Sequence, residues 1–328
     1  MPGFSRQDSR QISEQISRQT CAAFDIGSHS VKMLVAERAT SGGWRFLADR
    51  TRITRLGADL AATGAIGPEP SRCTLAAIAE FLDEARDLGV HPCAGGLVAV
   101  GTMCLRNASN AGEFLDRARR EYGLEIEIIP GEEEARLAYL AVTHGLGCPE
   151  GELIVFDVGG GSTEFIFGRA GQITERFSLD VGALRLTAEY LPSDPVPTAE
   201  LERALVAIAT ELKCLPVPGC QSPPAIFVGM GGTITNLGAI KHQLHRYESE
   251  VVQGTRLDRA EIAAYLELFR SRTVVERRAI VGLEPDRADV ILAGCGVVAV
   301  VMDRLEAAEL AISDHGVRHG LLHDRFST

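Results

Sequence analysis

The sequence lacks any hydrophobic stretch long enough to cross a membrane. Its longest apolar run, residues 290–302, has 13 residues, whereas a transmembrane helix needs about 20. Residues 1–20 are mostly polar and do not contain the apolar core of a signal peptide. We therefore expect a cytoplasmic protein that does not bind membranes, in which residues 1–20 form a flexible tail.

The spacing of the cysteines and the shortage of positive charge argue against two further classes of protein. The eight cysteines form no C-x-x-C pair, which argues against a disulfide scaffold and for reduced thiols. With 33 Lys and Arg against 44 Asp and Glu, the net charge is −11. A general nucleic-acid-binding surface needs excess positive charge, so nucleic acid is not an expected partner. An anionic ligand would have to be bound by local cations or backbone amides.

Two common nucleotide-binding motifs are also absent. The sequence contains no G-x-x-x-x-G-K-[ST] motif, and G-x-G-x-x-G fails at 229–234 because Ile234 occupies its last position. The length of 328 residues corresponds to about two domains of ~150 residues each. The 34 glycines direct attention to the turns.

One pattern is present twice. An apolar strand ends in an aspartate, a glycine-containing turn follows, and two further strands come next. The two aspartates, Asp25 and Asp157, are 132 residues apart. Duplication of a supersecondary unit at this spacing predicts two similar domains that face each other across a cleft. Periodicity also predicts strands at 96–101, 125–129, 225–230 and 309–313, and helices over 71–88, 110–122, 132–142, 198–214, 258–271 and 287–306.

The glycine turns indicate phosphate binding. A third turn follows another buried strand, and all three turns stand at carboxyl ends of strands, where α/β folds bind ligands. Glycine N–H groups and Ser or Thr hydroxyls bind anions, while aspartates suit Mg²⁺ coordinated also by water and phosphate. The expected phosphate-binding residues of the turns are Gly27, Ser28, Gly159, Gly160, Gly161, Ser162, Gly231, Gly232 and Thr233. The residues alone leave open that the turns are only hairpin connections.

Six segments resemble the exopolyphosphatase and guanosine pentaphosphate phosphohydrolase family, a branch of the actin–Hsp70–sugar kinase superfamily. The segments that carry the resemblance are A-A-F-D-I-G-S-H-S (22–30), V-G-T-M-C-L-R (100–106), I-I-P-G-E-E-E-A-R-L (128–137), I-V-F-D-V-G-G-G-S-T-E (154–164), V-G-M-G-G-T (228–233) and I-S-D-H-G-V-R-H-G-L-L (312–322). The resemblance implies two actin-like (ribonuclease H-like) α/β domains, each a mixed sheet flanked by helices, with the active site in the interdomain cleft. Residues 21–133 would form the first domain, joined by 313–328, and residues 134–312 the second.

The same resemblance implies roles for single residues. Glu134 would be the general base, Glu164 would orient metal or water, and Arg106 would hold phosphate by a bidentate contact. Mg²⁺, with Mn²⁺ as an alternative, would be held by Asp25 and Asp157.

The implied reaction is hydrolysis of the terminal phosphoanhydride of inorganic polyphosphate by a homodimer. Guanosine pentaphosphate (pppGpp) is the alternative substrate, and a sugar kinase or a non-catalytic polyphosphate or alarmone sensor remain open. Family members commonly have Asn where this chain has His29 and an acidic residue where it has His319. The sequence ends at 328, without the extra C-terminal helical domains of the longer members, which removes part of their polyphosphate channel, so processivity on long chains does not follow from the resemblance.

Overall fold

The computed structural model describes residues 20–39, 43–91, 95–216 and 226–327. Thr20 already belongs to the first strand, and the rest of the predicted tail lies outside the described residues. No helix in the described part of the chain is long and apolar enough to span a membrane.

The first sheet has five strands in the order β3-β2-β1-β4-β5. β2 runs antiparallel to β1 and β3, whereas β4 runs parallel to β1 and β5. Of the predicted strand 125–129, only two residues pair in the sheet. The strands are β1 (Thr20–Ile26), β2 (Ser30–Arg38), β3 (Trp44–Ile53), β4 (Leu97–Gly101) and β5 (Glu127–Ile128).

The second sheet has six strands in the order β10-β11-β9-β6-β7-β8. Its β8-β7-β6-β9 part repeats the β3-β2-β1-β4 part of the first sheet, with two antiparallel pairs followed by a parallel one. The structure therefore confirms the mixed α/β class and the duplicated strand–turn–strand unit. The strands are β6 (Glu152–Val158), β7 (Thr163–Arg169), β8 (Gln172–Leu179), β9 (Ile226–Met230), β10 (Arg256–Asp258) and β11 (Glu309–Ile312).

Helices cover the two sheets. Glycine, proline or a capping box stands at many of their ends; Asp258, for example, accepts from the Glu261 N–H at the start of one helix. The helices are α1 (Leu60–Thr63), α2 (Pro68–Asp87), α3 (Met103–Asn107), α4 (Ala111–Tyr122), α5 (Gly131–Leu146), α6 (Ala183–Tyr190), α7 (Thr198–Glu211), α8 (Gly232–Lys241), α9 (Ser249–Val252), α10 (Arg259–Arg270), α11 (Val274–Arg277), α12 (Ile291–Arg304) and α13 (Val317–Phe326), with 3₁₀ turns at Leu212–Cys214 and Pro285–Arg287.

The central strands read as unbroken apolar runs because both of their faces are buried. In β1, Phe24 packs into the core that contains Ile78 of α2, whereas Ala23 faces the cluster that contains Leu137 of α5. Period-two alternation is lost when helices pack on both faces of a sheet.

Helix α5 packs against both sheets. Leu137 belongs to the cluster with Ala23 and Val100 of the first sheet, and Ala138 belongs to the cluster with Val155 of the second. The helix therefore connects the two duplicated units in space as well as in sequence. Its first turn, which carries three consecutive glutamates, lies where the two sheets approach each other.

Candidate active site

The carboxyl ends of β1 and β6 meet at one cavity. Every site residue predicted from the sequence lines this cavity except Arg106. The lining residues that were predicted are Asp25, Gly27, Ser28, Glu134, Asp157, Gly159, Gly160, Gly161, Ser162, Glu164, Gly231, Gly232 and Thr233. Residues far apart in sequence, from both sheets and from α5, are thus brought together around a single space.

The first two glycine turns touch each other across this cavity. A Cβ atom built on Gly160 would lie 2.8 Å from the Cβ of His29, and one on Gly161 would lie 2.6 Å from Met103 Sδ. The His29 Cβ cannot move away without its backbone, so glycine is required at position 160, whereas at position 161 a side chain would displace the end of Met103. The absence of side chains lets two backbone turns face one another, as a phosphate chain bound between them needs.

Several backbone N–H groups of these turns are unpaired. Within the described residues, the N–H groups of Ser28, His29, Gly160 and Gly161 have no hydrogen-bond acceptor in the protein. Successive unpaired N–H groups in a turn form a concave anion-binding site. The geometry therefore agrees with the phosphate-binding interpretation of both turns.

The third glycine turn brings a helix N-terminus to the same cavity. Gly231 has φ +93°, and a Cβ there would lie 2.5 Å from Asp157 Oδ1. Helix α8 begins directly afterwards at Gly232; the sequence analysis did not predict this helix. Its positive dipole end adds to the attraction for an anion in the cavity.

Glu134 stands in the first turn of α5 and is only 8% exposed. Arg106 Nη1 donates to Glu134 Oε2 at 2.9 Å and to the carbonyl oxygen of Ile129 at 2.9 Å. Burial and the Glu164 carboxylate raise the pKa of Glu134 well above its ordinary value, against the opposing Arg106 guanidinium. The structure thus gives Arg106 a contact that the sequence did not predict: it holds the carboxylate of the expected base.

Glu164 is 1% exposed and lies beside the start of α5. The hydroxyls of Ser162 and Ser178 each donate to its Oε1 at 2.8 Å. Burial and the Asp157 carboxylate raise the pKa of Glu164 to about 7, although the two hydroxyl hydrogen bonds oppose the rise. Gly131 permits this proximity, because a Cβ there would lie 2.4 Å from the Cβ of Ser178.

The two predicted metal ligands differ in their surroundings. Lys32 Nζ lies 3.6 Å from Asp25 Oδ2, and both residues line the cavity. Burial raises the pKa of Asp157, with Lys32 opposing the rise and the Asp25 carboxylate adding to it. Four buried carboxylates therefore face one cavity with few compensating cations.

This donor set fits a hard divalent cation bound mostly through water and phosphate. In the described part of the chain, no group of three or more His, Cys, Asp or Glu side chains is arranged to enclose a metal ion. Mg²⁺ typically keeps several waters and is held by one or two carboxylates plus substrate phosphates. Asp25 and Asp157 supply that number of carboxylates at the edge of the phosphate turns.

Arg287 is a cavity residue that the sequence analysis missed. Its guanidinium packs against Gly232, where a Cβ would lie 2.2 Å from the Arg287 Cζ. The Arg287 guanidinium has no hydrogen-bond or ion-pair partner among the described residues, and burial lowers its pKa to about 10. It lines both this cavity and an adjoining cavity of about 910 Å³. In the sequence, Arg287 is only a single arginine in a polar segment before an apolar helix, so nothing in the pattern indicated that it reaches the cavity.

The two unusual histidines occupy different places. His29 lines the cavity, whereas His319 is buried in α13, where its Nδ1 accepts from the Gly316 N–H at 3.2 Å. His319 stacks on His315 with ring centroids 4.2 Å apart. Only the substitution at His29 therefore reaches the site directly.

The fold and the cavity define a class: a two-sheet α/β protein in which duplicated glycine turns and four buried carboxylates line one cavity. The model of the Ppx/GppA phosphatase family matches residues 34–328. Exopolyphosphatase 2 of Mycobacterium tuberculosis is 29% identical over 316 residues, which cover 92% of this chain and 96% of that protein.

Solved structures give the same result. The Ppx/GppA family member of Aquifex aeolicus is 35% identical, with a TM-score of 0.77 over 93% of this chain and 96% of that one. An exopolyphosphatase from Cytophaga hutchinsonii shares the fold, with a TM-score of 0.80 at 23% identity over 93% of this chain and 97% of that one. The chain belongs to the Ppx/GppA phosphatase family, whose members hydrolyse phosphoanhydride bonds.

Proposed function

We propose that this protein is an exopolyphosphatase that releases orthophosphate from the end of inorganic polyphosphate. The observation that carries the proposal is the convergence, on one cavity, of unpaired backbone amides with the buried carboxylates Glu134 and Glu164. The similarity to Exopolyphosphatase 2 supports the choice of polyphosphate as substrate.

In this mechanism Glu134 is the general base. A water molecule attacks the terminal phosphorus and transfers a proton to Glu134, while the bond from that phosphorus to the bridging oxygen breaks. Orthophosphate and a chain shortened by one phosphate leave, and the proton then returns to solvent. The raised pKa of Glu134 suits a base, because it increases the proton affinity of the carboxylate. Arg106 positions the carboxylate through its 2.9 Å hydrogen bond.

Glu164 orients the same water. Its Oε1 is engaged by the Ser162 and Ser178 hydroxyls, whereas its Oε2 has no hydrogen-bond partner among the described residues. A fixed carboxylate with one free oxygen can accept a hydrogen bond from water and restrict its direction of attack.

The phosphate chain is held by the turns and by cations. The amides of Ser28, His29, Gly160 and Gly161 and the start of α8 face its oxygens, and Arg287 adds a positive charge without an acidic partner. Asp25 and Asp157 would hold Mg²⁺ or Mn²⁺, which supplies charge neutralisation at the phosphate oxygens when bound.

A second candidate substrate is guanosine pentaphosphate, and the larger cavity favours it. This cavity of about 910 Å³ begins at Gly231 and Gly232, where the phosphate site ends. Its lining has as many acidic as basic side chains, and residues 279–283 give it an apolar wall. A continuous polyanion prefers an excess of positive charge, whereas a nucleoside suits a mixed surface of this kind.

The test is phosphate release from long polyphosphate, tripolyphosphate, guanosine pentaphosphate and ATP, measured side by side at saturating concentration with Mg²⁺. We expect long polyphosphate to be hydrolysed fastest. Faster hydrolysis of guanosine pentaphosphate would make it the substrate instead. Binding without phosphate release would identify a sensor, and ATP-dependent phosphorylation of a sugar would identify a kinase; either result contradicts the proposal.

A further inference from the structure

His29 is a buried histidine at the centre of the phosphate site. It is 5% exposed and lines the same cavity as the catalytic carboxylates. Its carbonyl oxygen accepts from the Thr54 and Arg55 N–H groups at 3.1 and 2.9 Å, which fixes the backbone. Its Cβ lies against Gly160 of the facing turn. The imidazole is therefore held at the junction of the two glycine turns.

Neither ring nitrogen of His29 has a hydrogen-bond partner among the described residues, although both are buried. Buried polar atoms nearly always have a partner, so an exception at a ligand site indicates that the partner is the ligand. A neutral imidazole carries one N–H donor, and an imidazolium carries two. The unpaired amides beside it, including those of Ser28 and Gly161, are also donors. The junction thus offers a ring N–H and several backbone N–H donors that lack an acceptor.

We propose that the imidazole of His29 binds the substrate directly, by donating a ring N–H hydrogen bond to a non-bridging oxygen of the phosphate chain between the turns. The inference rests on the proposed function for the nature of the chain, but any condensed phosphate offers the same oxygens. The side chain is thereby a phosphate-binding group, in addition to the backbone amides that the sequence predicts.

The charges around the ring determine how this contact depends on pH. Burial, followed by the neighbouring cations Arg287, Arg55 and Lys32, lowers the pKa of His29 well below its ordinary value. The carboxylates that face the same cavity are Asp25, Glu134, Asp157 and Glu164. A bound phosphate chain adds several negative charges beside the ring and therefore raises the pKa of His29.

The sign of the effect follows from linkage. Because the pKa of His29 is higher in the complex than in the free protein, phosphate binding takes up a proton. The contribution of His29 to affinity is full below the pKa of the free protein. It decreases as the pH rises through the pKa of the complex. Above that pH, only the hydrogen bond from the neutral ring remains.

The experiment measures binding of imidodiphosphate, whose P–N–P bridge resists hydrolysis, to the wild-type protein with Mg²⁺ across the pH range. Three variants are compared: His29→Ala removes the donor, His29→Asn keeps a donor that cannot be protonated, and His91→Asn changes an exposed histidine outside both cavities. In parallel, ¹⁵N resonances of the histidine rings are recorded with and without imidodiphosphate.

We expect His29→Ala to weaken binding by about ten- to a hundredfold, the usual effect of a hydrogen bond to a charged group. His29→Asn should retain part of the affinity and lose the extra pH dependence, while His91→Asn should match wild type. The His29 ring resonances should shift on binding. If His29→Ala does not fold, the His29→Asn pH profile and the wild-type ring resonances decide the question.

Unchanged affinity in His29→Ala, or ring resonances of His29 that do not move at saturation, would overturn the proposal. These results are distinct from failure of the proposed function. A protein that hydrolyses polyphosphate normally with unmoved His29 resonances contradicts only the role of His29. A protein that binds imidodiphosphate through His29 and releases no phosphate from polyphosphate supports that role and contradicts only the substrate.

Discussion

The two duplicated hairpins have the same backbone hydrogen bond in their turns but carry side chains of opposite charge at one equivalent position. In both turns a glycine N–H donates to a serine carbonyl oxygen at 3.0 Å, from Gly27 to Ser30 and from Gly159 to Ser162. In both hairpins the aspartate near the end of the first strand pairs with a residue of the second strand at the equivalent position. That partner residue is Lys32 in the first hairpin. In the other hairpin it is Glu164.

This difference changes the charge beside the two aspartates. Lys32 lies 3.6 Å from Asp25 and compensates its charge, whereas Glu164 places a second carboxylate beside Asp157 and has its own pKa raised to about 7. The first hairpin therefore pairs its aspartate with a cation, whereas the second brings two carboxylates together beside the position proposed for the attacking water. In the proposed mechanism, the first copy of the unit would bind phosphate and the second would also take part in activating water.

The largest expected effect follows from removing the base that faces the second hairpin. Glu134→Gln keeps the shape of the side chain and a hydrogen-bonding oxygen but cannot accept the proton of water. Loss of a general base costs about 10²–10⁴-fold in rate. Since the turns are untouched, affinity for polyphosphate should be retained or rise slightly. The measurement is phosphate release at saturating polyphosphate together with equilibrium binding.

The matched control is the adjacent Glu133→Gln. The Glu133 carboxylate is already bound by Arg136 at 2.8 Å through both oxygens, and adjacent helical residues point about 100° apart. We expect near wild-type turnover. If Glu133→Gln is inactive and Glu134→Gln active, the base is the neighbouring residue. If both are active, neither carboxylate is the base.

The aspartates test the metal assignment. Chelation should abolish turnover, and Mg²⁺ or Mn²⁺ should restore it. Asp157→Asn should lose most of the activity and melt no earlier than wild type, because the neutral amide removes repulsion in the buried cluster. Activity assays and thermal melting of the same preparation check both parts. Full turnover in excess chelator would contradict the role of Asp25 and Asp157.

A smaller effect, on stability, comes from Glu164. Its pKa is raised from 4.5 to about 7 in the fold, so its protonated form stabilises the protein fully below the unfolded value. That contribution is lost as the pH rises through about 7. Above this pH, Glu164→Gln should stabilise the metal-free protein by on the order of 3 kcal/mol, since each pKa unit corresponds to about 1.4 kcal/mol. Below pH ~4.5 it should give no gain, and it should reduce turnover throughout.

Lys32→Gln, at the equivalent position, should act in the opposite direction. It leaves Asp25 without its neighbouring cation and should destabilise the protein by about 1 kcal/mol. Thermal melting of both variants, above and below neutral pH, compares the two hairpins directly. If both substitutions shift the melting temperature in the same direction, the hairpins do not differ in charge compensation as described.

The sequence was most informative where a pattern repeats. Duplication of the aspartate turns predicted two related sheets, and glycine-rich turns at strand ends predicted the residues that meet at the cavity. Local patterns could not supply contacts between distant segments. The hydrogen bond from Arg106 to Glu134 joins α3 to α5, and Arg287 reaches Gly232 from a 3₁₀ turn. Both contacts depend on how distant segments pack together, which local sequence patterns do not specify.

His29 shows the same limit for a single residue. The sequence showed an unusual histidine in the first turn but gave no sign that both ring nitrogens would be buried without a partner. The turn that faces it is distant in sequence, and Gly160 of that turn lies against the His29 Cβ. The predicted strand 125–129 is present but shorter: only Glu127 and Ile128 pair at the edge of the sheet before the chain enters α5.

The central claim is that a water held by Glu134 and Glu164 attacks the terminal phosphorus of the chain. The most direct measurement is hydrolysis of polyphosphate in ¹⁸O-labelled water, followed by mass analysis of both products. We expect one labelled oxygen in each released orthophosphate, none in the shortened chain, and loss of labelled product in Glu134→Gln. Label in the shortened chain, or undiminished labelled orthophosphate from Glu134→Gln, would contradict the central claim.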